Sequence, residues 1–314
     1  MKPAITVVVC TRNRHTLLSA CLASLSRQTL RRDEFEVLVV DNGSTDPTPD
    51  VVSAFSAGMN ARVFREPRIG LSIARNRGLR EAEAAYIAYL DDDAEAEPTW
   101  LEQALEGVKT FLPAPDAMAG AILLKWEVPR PEWVTDEMTG PLGALWWGET
   151  AFRMSPGQRL IGANCFFKKS SLKAVGGFNE HLGRKSNCLL SGEETQVQDR
   201  FVDRGFCLWY NPRALVRHFV PRERIHTSWF YRRFFWGGIS DYVQTCTSKV
   251  KSLSQDTTDT LYRRVLKHSW LATGLTLKKR DAVSGRIYLS YAMGRLWGPF
   301  YVRLHARDIR CAGV

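Results

Sequence analysis

Along the first 125 residues, short apolar runs alternate with segments of helical spacing. ITVVVCT (5–11), FEVLVVD (35–41) and YIAYLD (86–91) are apolar almost throughout, the pattern of strands buried on both faces, and ARVFRE (61–66) is a shorter run of the same kind. Between them lie NRHTLLSACLASLSRQ (13–28), STDPTPDVVSAFSA (44–57) and GLSIARNRGLREAEAA (70–85), whose apolar positions recur at helical spacing; the second has Pro near its start, where first-turn prolines are favoured. Buried strands alternating with such helices predict an α/β fold with a mostly parallel sheet flanked by helices.

Further along, the pattern predicts a helix at 99–112, a strand at 117–126 and a strand at 164–169. It then predicts helices at 170–178 and 191–205 and two strands, CLWYNP and ALVRHFV, within 207–220. Residues 127–160 are rich in Pro, Gly and Trp with little periodicity, which marks a long functional loop. Beyond about residue 222 the pattern is mainly helical. The expected division is therefore an α/β domain over 1–221 and a helical extension over 222–314.

The strand ends carry the chemistry. Thr11, Arg12, Asn13 and Arg14 follow the first strand; Asp41 and Asn42 end the second; Asp91, Asp92 and Asp93 end the fourth. In a parallel sheet these ends meet on one edge, where ligands of such sheets bind.

Charge changes the picture of the tail. The net charge is +10, but Arg222 to Val314 hold 17 Lys/Arg against 6 Asp/Glu, a balance of +11, leaving −1 for the first 221 residues. A basic tail is either a solvated face or a surface for an anionic partner such as a membrane. WFYRRFFWGG (229–238) is a candidate for membrane docking, and IYLSYAMGRLWGPFYVRL (287–304) has the character of an interfacial or core helix. No uncharged run reaches spanning length and no export signal is recognisable. The seven cysteines are scattered without a C-x-x-C pair, so neither a disulfide framework nor a zinc site is expected and a reducing cytoplasm fits best.

Each candidate residue has two readings. Asp91, Asp92 and Asp93 form either a capped, solvated turn or a site for Mg2+ or Mn2+, cations that favour carboxylate oxygen and hold a diphosphate in turn. Asp41 and Asn42 either shape a turn or meet a nucleoside. Arg12, Asn13 and Arg14 open a helix whose N-terminus favours anions. Arg75 and Asn76 are binding residues if their helix face points to the edge, and solvated otherwise. Ser191 and Glu194 match a capping box, yet Glu193 or Glu194 is also placed as a general base. His218 is either a satisfied strand histidine or a metal ligand. Trp146 and Trp147 either stack on an acceptor sugar or lie buried under the loop. No dinucleotide-binding glycine pattern, P-loop or hydrolase elbow occurs.

The chain resembles the family 2 glycosyltransferases of the GT-A fold. The resemblance rests on TVVVCTRNR (6–14), LVVDNGSTD (38–46), GLSIARNRG (70–78), YLDDDAEAEPTWL (89–101), GANCFFKKSSLKAVGGFNE (162–180), GEETQVQDRFVDRG (192–205) and VRHFVPRER (216–224). It implies inverting transfer of a sugar from a nucleotide-diphosphate donor (UDP-, GDP- or dTDP-linked) to a saccharide or lipid-linked acceptor in polysaccharide or glycolipid synthesis. It implies Asp41 at the base, Thr11, Arg14 and Arg75 around the nucleotide, Asp92 near the ribose, Asp93 on the metal with His218, and Glu194 as the base. Where the family usually has Glu-Asp, this chain has Glu-Glu. The rivals are a sugar-phosphate nucleotidyltransferase, which predicts a glycine-rich loop after the first strand, and a non-enzymatic nucleic-acid binder through the basic tail. CTRNRHT has no glycine and the tail shows no nucleic-acid module, so nucleic acid is not an expected partner. A cytoplasmic enzyme, peripheral on the inner face of the cell membrane, is the expected setting.

Overall fold

The computed structural model describes residues 2–56, 58–155, 157–185, 188–247 and 279–305. The chain runs β1 (Ile5–Thr11), α1 (His15–Ser26), β2 (Phe35–Asp41), α2 (Thr48–Ser56), β3 (Ala61–Arg65), α3 (Leu71–Glu81), β4 (Tyr86–Asp91), β5 (Ala94–Ala96), α4 (Trp100–Thr110) and β6 (Ala117–Trp126). It continues through β7 (Phe152–Arg153), β8 (Asn164–Lys168), α5 (Lys169–Ala174), α6 (Glu193–Asp203), β9 (Leu208–Val220), α7 (Thr227–Thr247) and α8 (Lys279–Leu304).

One sheet takes the order β3-β2-β1-β4-β8-β6-β9-β5, with β7 on β9. The first four strands are parallel, as the apolar runs predict. β8 is antiparallel to both β4 and β6, so the second half is mixed. The predicted pair of strands within 207–220 is one strand, β9. The apparent break at Asn211-Pro212 is an irregularity: against β6 the register steps from Gly120↔Asn211 to Ile122↔Val216. A proline lacks the N–H that a regular ladder needs, and a bulge accommodates it.

The register explains how the site assembles. Thr11 pairs with Asp41 and Cys10 with Asp91, so the three polar strand ends lie side by side. β5 was not predicted; three residues carry too little pattern. Its pairing of Ala94 with His218 sets the histidine beside Asp93.

Two buried features hold the strands in place. Asn164 is fully buried: it accepts from Trp100 Nε1 at 2.9 Å and donates to the carbonyls of Ala121 and Ala214 at 2.8 Å each. It thereby ties β8, α4, β6 and β9 with every polar group paired. Gly78 lets α3 lie directly on β1, because a Cβ there would overlap Val8 Cγ1. Gly78→Val is therefore expected to lower unfolding free energy by about 3 kcal/mol, since the stiff Val8 side chain cannot yield. Urea denaturation with an unchanged slope and a lowered midpoint checks this.

The extension is not a free appendage. Phe230 and Phe234 of α7 and Ile287, Tyr288 and Tyr291 of α8 form one apolar cluster with Val134, Met138 and Leu142 of the long loop. Of the candidate docking segment WFYRRFFWGG, Phe230 is fully buried and Phe234 nearly so, packed against α8 and the loop. The remainder of the extension, 248–278 and 306–314, lies outside the described residues.

Candidate active site

Arg14, projecting from the β1–α1 turn, grips the acidic run. Its Nη1 lies 2.5 Å from Asp92 Oδ1 and its Nη2 2.6 Å from Asp93 Oδ2. Thr11 Oγ1 donates to Asp92 Oδ2 at 2.7 Å. Arg224 Nη2 donates to Asp93 Oδ2 at 3.1 Å, and His218 Nε2 lies 3.1 Å from Asp93 Oδ1. Burial pushes Asp92 up to about 7 in spite of Arg14. Burial would raise Asp93 as well, but His218, Arg14 and Arg224 overcome it and hold that carboxyl well below its usual range.

Oxygens of Asp91 and Asp93 and a ring nitrogen of His218 lie within 4.8 Å of one another, and His218 Nδ1 is buried without a partner. Two carboxylates and an imidazole, Asp93 and His218 buried and Asp91 half-buried, form a donor set that fits a divalent cation such as Mn2+ or Mg2+.

A second charge cluster lies beside the first. Arg75 is buried on α3, its guanidinium over the Phe178 ring, with Nη1 3.0 Å from Glu193 Oε1 and 2.8 Å from Glu194 Oε1 and Nη2 3.4 Å from Asp91 Oδ1. Gly162 makes this approach possible: a Cβ there would overlap Glu194 Oε1 and Arg75 Nη2. The Ser-x-x-Glu capping box does not form. Gly192 is the N-cap of α6, no side chain caps it, and Ser191 Oγ faces Ser240 instead. Glu194 is thus free of the helix terminus and held by Arg75.

The two glutamates differ in access. The Glu193 side chain is 4% exposed and that of Glu194 16%. Burial, reinforced by the neighbouring Glu194, raises Glu193 from 4.5 to about 7. A carboxyl so raised contributes stability that is complete below 4.5 and is lost as pH rises through 7. The melting temperature of the wild type should therefore fall between about pH 5 and pH 7.5 relative to Glu193→Gln, which scanning calorimetry of the two across that window measures.

Two cavities flank Asp91. One of 360 Å³ is lined by Thr11, Arg12, Arg14, Asn42 and Asp92; the other, of 250 Å³, is lined by Glu193, Glu194, Gly162, His218 and Arg233. Asp91, Arg184 and Arg224 border both.

Several candidates serve the scaffold. Asn13 takes a left-handed backbone (φ 53°), and its Oδ1 accepts from Thr45 N at 2.7 Å. Asp41 is buried and accepts from Ser44 N. Asn42 accepts from Gly70 N and donates to the carbonyls of Glu66 and Arg68, while still lining the larger cavity. Asn76 turns away, exchanging hydrogen bonds with the Phe178 backbone. Neither tryptophan lines the cavities: Trp147 packs on Tyr210 and Phe152, whereas Trp146 is 48% exposed. Arg12 reaches the larger cavity with its Nε buried and unpartnered. The sequence reading overlooked Arg224, Arg233 and Asp241. Arg224 ends the stretch VRHFVPRER; the other two lie on α7, where no local pattern sets a charged residue apart.

A mixed α/β sheet with an acidic edge between two polar cavities is an arrangement suited to holding an anionic ligand at its strand ends. The model of "Glycosyl transferase family 2" matches residues 6–167, half of the chain, and the protein belongs to that family. It is a glycosyltransferase, which decides against both rival readings. Over 247 residues, 76% of each chain, it is 28% identical to a glucosyl-dolichyl phosphate glucuronosyltransferase of Haloferax volcanii. It is 35% identical to the putative glycosyltransferase EpsH of Bacillus subtilis over 104 residues, 33% of this chain and 30% of that one. In structure it is similar to the mannosyltransferase PcManGT of Pyrobaculum calidifontis in complex with GDP-Man and Mn2+ (TM-score 0.67, 20% identity, 96% of this chain and 88% of that one). It also resembles TarS of S. aureus with UDP-GlcNAc (TM-score 0.56, 17% identity, 99% and 89%). These likenesses establish the GT-A fold.

Proposed function

We propose that this chain is an inverting, cation-dependent glycosyltransferase that uses a nucleotide-diphosphate sugar and takes Glu194 as its general base. The observation that carries the reading is the division of the edge: a carboxylate held by Arg75 in one cavity, and Asp91 and Asp92 of the acidic run with Arg12, Arg14 and Thr11 along the other. The donors bound to PcManGT and TarS support the substrate class.

On this reading the nucleotide lies in the larger cavity, with Asp92 near the ribose and Arg12 and Arg14 beside it. The acceptor enters the smaller cavity. Glu194 accepts the proton of its hydroxyl while the oxygen attacks the anomeric carbon from the face opposite the diphosphate, so the configuration inverts. Arg75 orients Glu194, and Glu193, largely enclosed, shares that guanidinium. Arg224, between the cavities, adds positive charge where negative charge develops on the leaving group. Asp91, Asp93 and His218 would hold a Mg2+ or Mn2+ ion, which when bound supplies Lewis-acid neutralisation of the diphosphate.

The acceptor is a saccharide or a lipid-linked saccharide, the latter met at the inner face of the cell membrane. The lipid-linked substrate in the name of the Haloferax relative supports this. Incubation with a panel of UDP-, GDP- and dTDP-sugars, read by mass spectrometry for released nucleotide, is the test. Slow metal-dependent hydrolysis of one donor class, stopped by chelator, is expected; no turnover of any donor would overturn the reading.

A further inference from the structure

Helix α8 has two apolar faces, and among the described residues only one of them is covered. On the inner face Ile287, Tyr288 and Tyr291 are buried, and the backbone at Gly294 lies against that of Phe235 of α7. The outer face carries Leu289, Met293, Leu296, Trp297, Phe300 and Leu304, each between 44% and 76% exposed. Their steps of four, three, one, three and four residues keep them on a stripe about 100° wide and about 22 Å long. The exposed charged side chains on the described part of α8 are Arg286 and Arg303, one toward each end of the stripe. No Asp or Glu occurs anywhere from 282 to 307.

Large apolar side chains aligned in this way mark a contact surface. A second copy of the chain is a poor occupant. Antiparallel pairing of two stripes brings Arg303 of one copy toward Arg286 of the other, and parallel pairing brings like onto like. In neither does the stretch 282–304 offer a carboxylate to either guanidinium. An anionic lipid surface satisfies every group. Trp297 and Phe300 suit the headgroup boundary, the aliphatic side chains enter the acyl region, and both arginines meet phosphates. Among the described residues no helix is long and apolar enough to cross a membrane, so the helix would lie on the surface.

We propose that the outer face of α8 docks the enzyme on an anionic membrane. The position suits a lipid-linked acceptor. Tyr288 and Tyr291, on the inner face, line a 230 Å³ cavity with Ser191, Arg233 and Asp241, and those three residues also line the cavity of Glu194. The docked surface is then about one helix diameter, about 10 Å, from a path to the base. This consequence for the acceptor rests on the function proposed above; the docking does not.

Flotation of the full chain, without substrate, with phosphatidylcholine vesicles and with mixed phosphatidylcholine–phosphatidylglycerol vesicles is the test. The wild type is expected to partition onto the mixed vesicles about tenfold more strongly, and Leu296→Glu with Phe300→Glu to lose about tenfold of that partition. Arg286→Ala with Arg303→Ala is expected to weaken partition and reduce its salt dependence. All four positions are exposed, so melting temperatures should not change, and donor hydrolysis in solution should persist. A wild type that stays off the mixed vesicles, or a double glutamate variant that binds as well as the wild type, would overturn the proposal. So would a wild-type dimer by light scattering that Leu296→Glu converts to monomer, because the second copy would then be the occupant. If the wild type floats as expected but hydrolyses no donor, the functional reading fails while the docking surface stands.

Discussion

Asp93→Asn should abolish sugar transfer, with kcat/KM falling at least about a thousandfold, equivalent to about 4 kcal/mol of transition-state stabilisation. Asp93 is the meeting point of the edge: His218 lies on one carboxylate oxygen and Arg14 and Arg224 on the other. The amide keeps the shape and loses the charge. Two guanidiniums then face one another across a neutral side chain, and a buried cation left without its partner costs about 3 kcal/mol of stability. Arg14 still holds Asp92, so the strand ends should stay assembled. The activity loss must therefore be measured below the lowered melting temperature, where circular dichroism shows a folded chain. Retained transfer at saturating Mn2+ would remove Asp93 from the cation site.

Glu194→Gln should lower kcat by about a hundred- to ten-thousandfold, the range for loss of a general base, while donor KM changes by less than about threefold. The variant separates chemistry from structure. The amide oxygen that replaces Glu194 Oε1 can still accept from Arg75, and Gly162 still leaves it room. No cap is lost, because no side chain caps α6. Losing one acidic charge from the first turn costs less than about 1 kcal/mol. Donor binding intact with transfer gone is the expected pattern. Normal turnover would transfer the role to Glu193, whose burial makes it the poorer candidate.

Much of this was legible in the sequence because buried parallel strands are apolar throughout and their ends are abruptly polar. ITVVVCT, FEVLVVD and YIAYLD are β1, β2 and β4, in the expected parallel pairing, and their ends meet as expected. The resemblance selected Asp93 and His218 from a crowd of polar residues, although a lone strand histidine carries no signal by itself. What pattern could not supply was partnership over long separations. Arg14 and Asp92 are 78 residues apart and Arg75 and Glu194 are 119 apart, so nothing local announces either contact. The Trp146-Trp147 pair, open to stacking or to burial on its sequence, shows the opposite case. An aromatic pair in a loop suggests sugar stacking, yet Trp147 fills an aromatic cluster with Tyr210 and Phe152. In the tail, summed charge and aromatic content pointed to a surface but could not say which side chains face outward. Phe230 and Phe234 of WFYRRFFWGG are buried in the core, while α8 carries an exposed apolar stripe.

The central claim is that Asp91, Asp93 and His218 hold a divalent cation between a nucleotide and the Glu194 cavity. Anomalous diffraction at the manganese edge, from crystals soaked with Mn2+ and a nucleoside diphosphate, tests it most directly. The account predicts one strong peak in bonding contact with Asp93 and His218 and with phosphate oxygens of the nucleotide. A nucleotide seated in the larger cavity with no peak there, or with the manganese elsewhere, would contradict it.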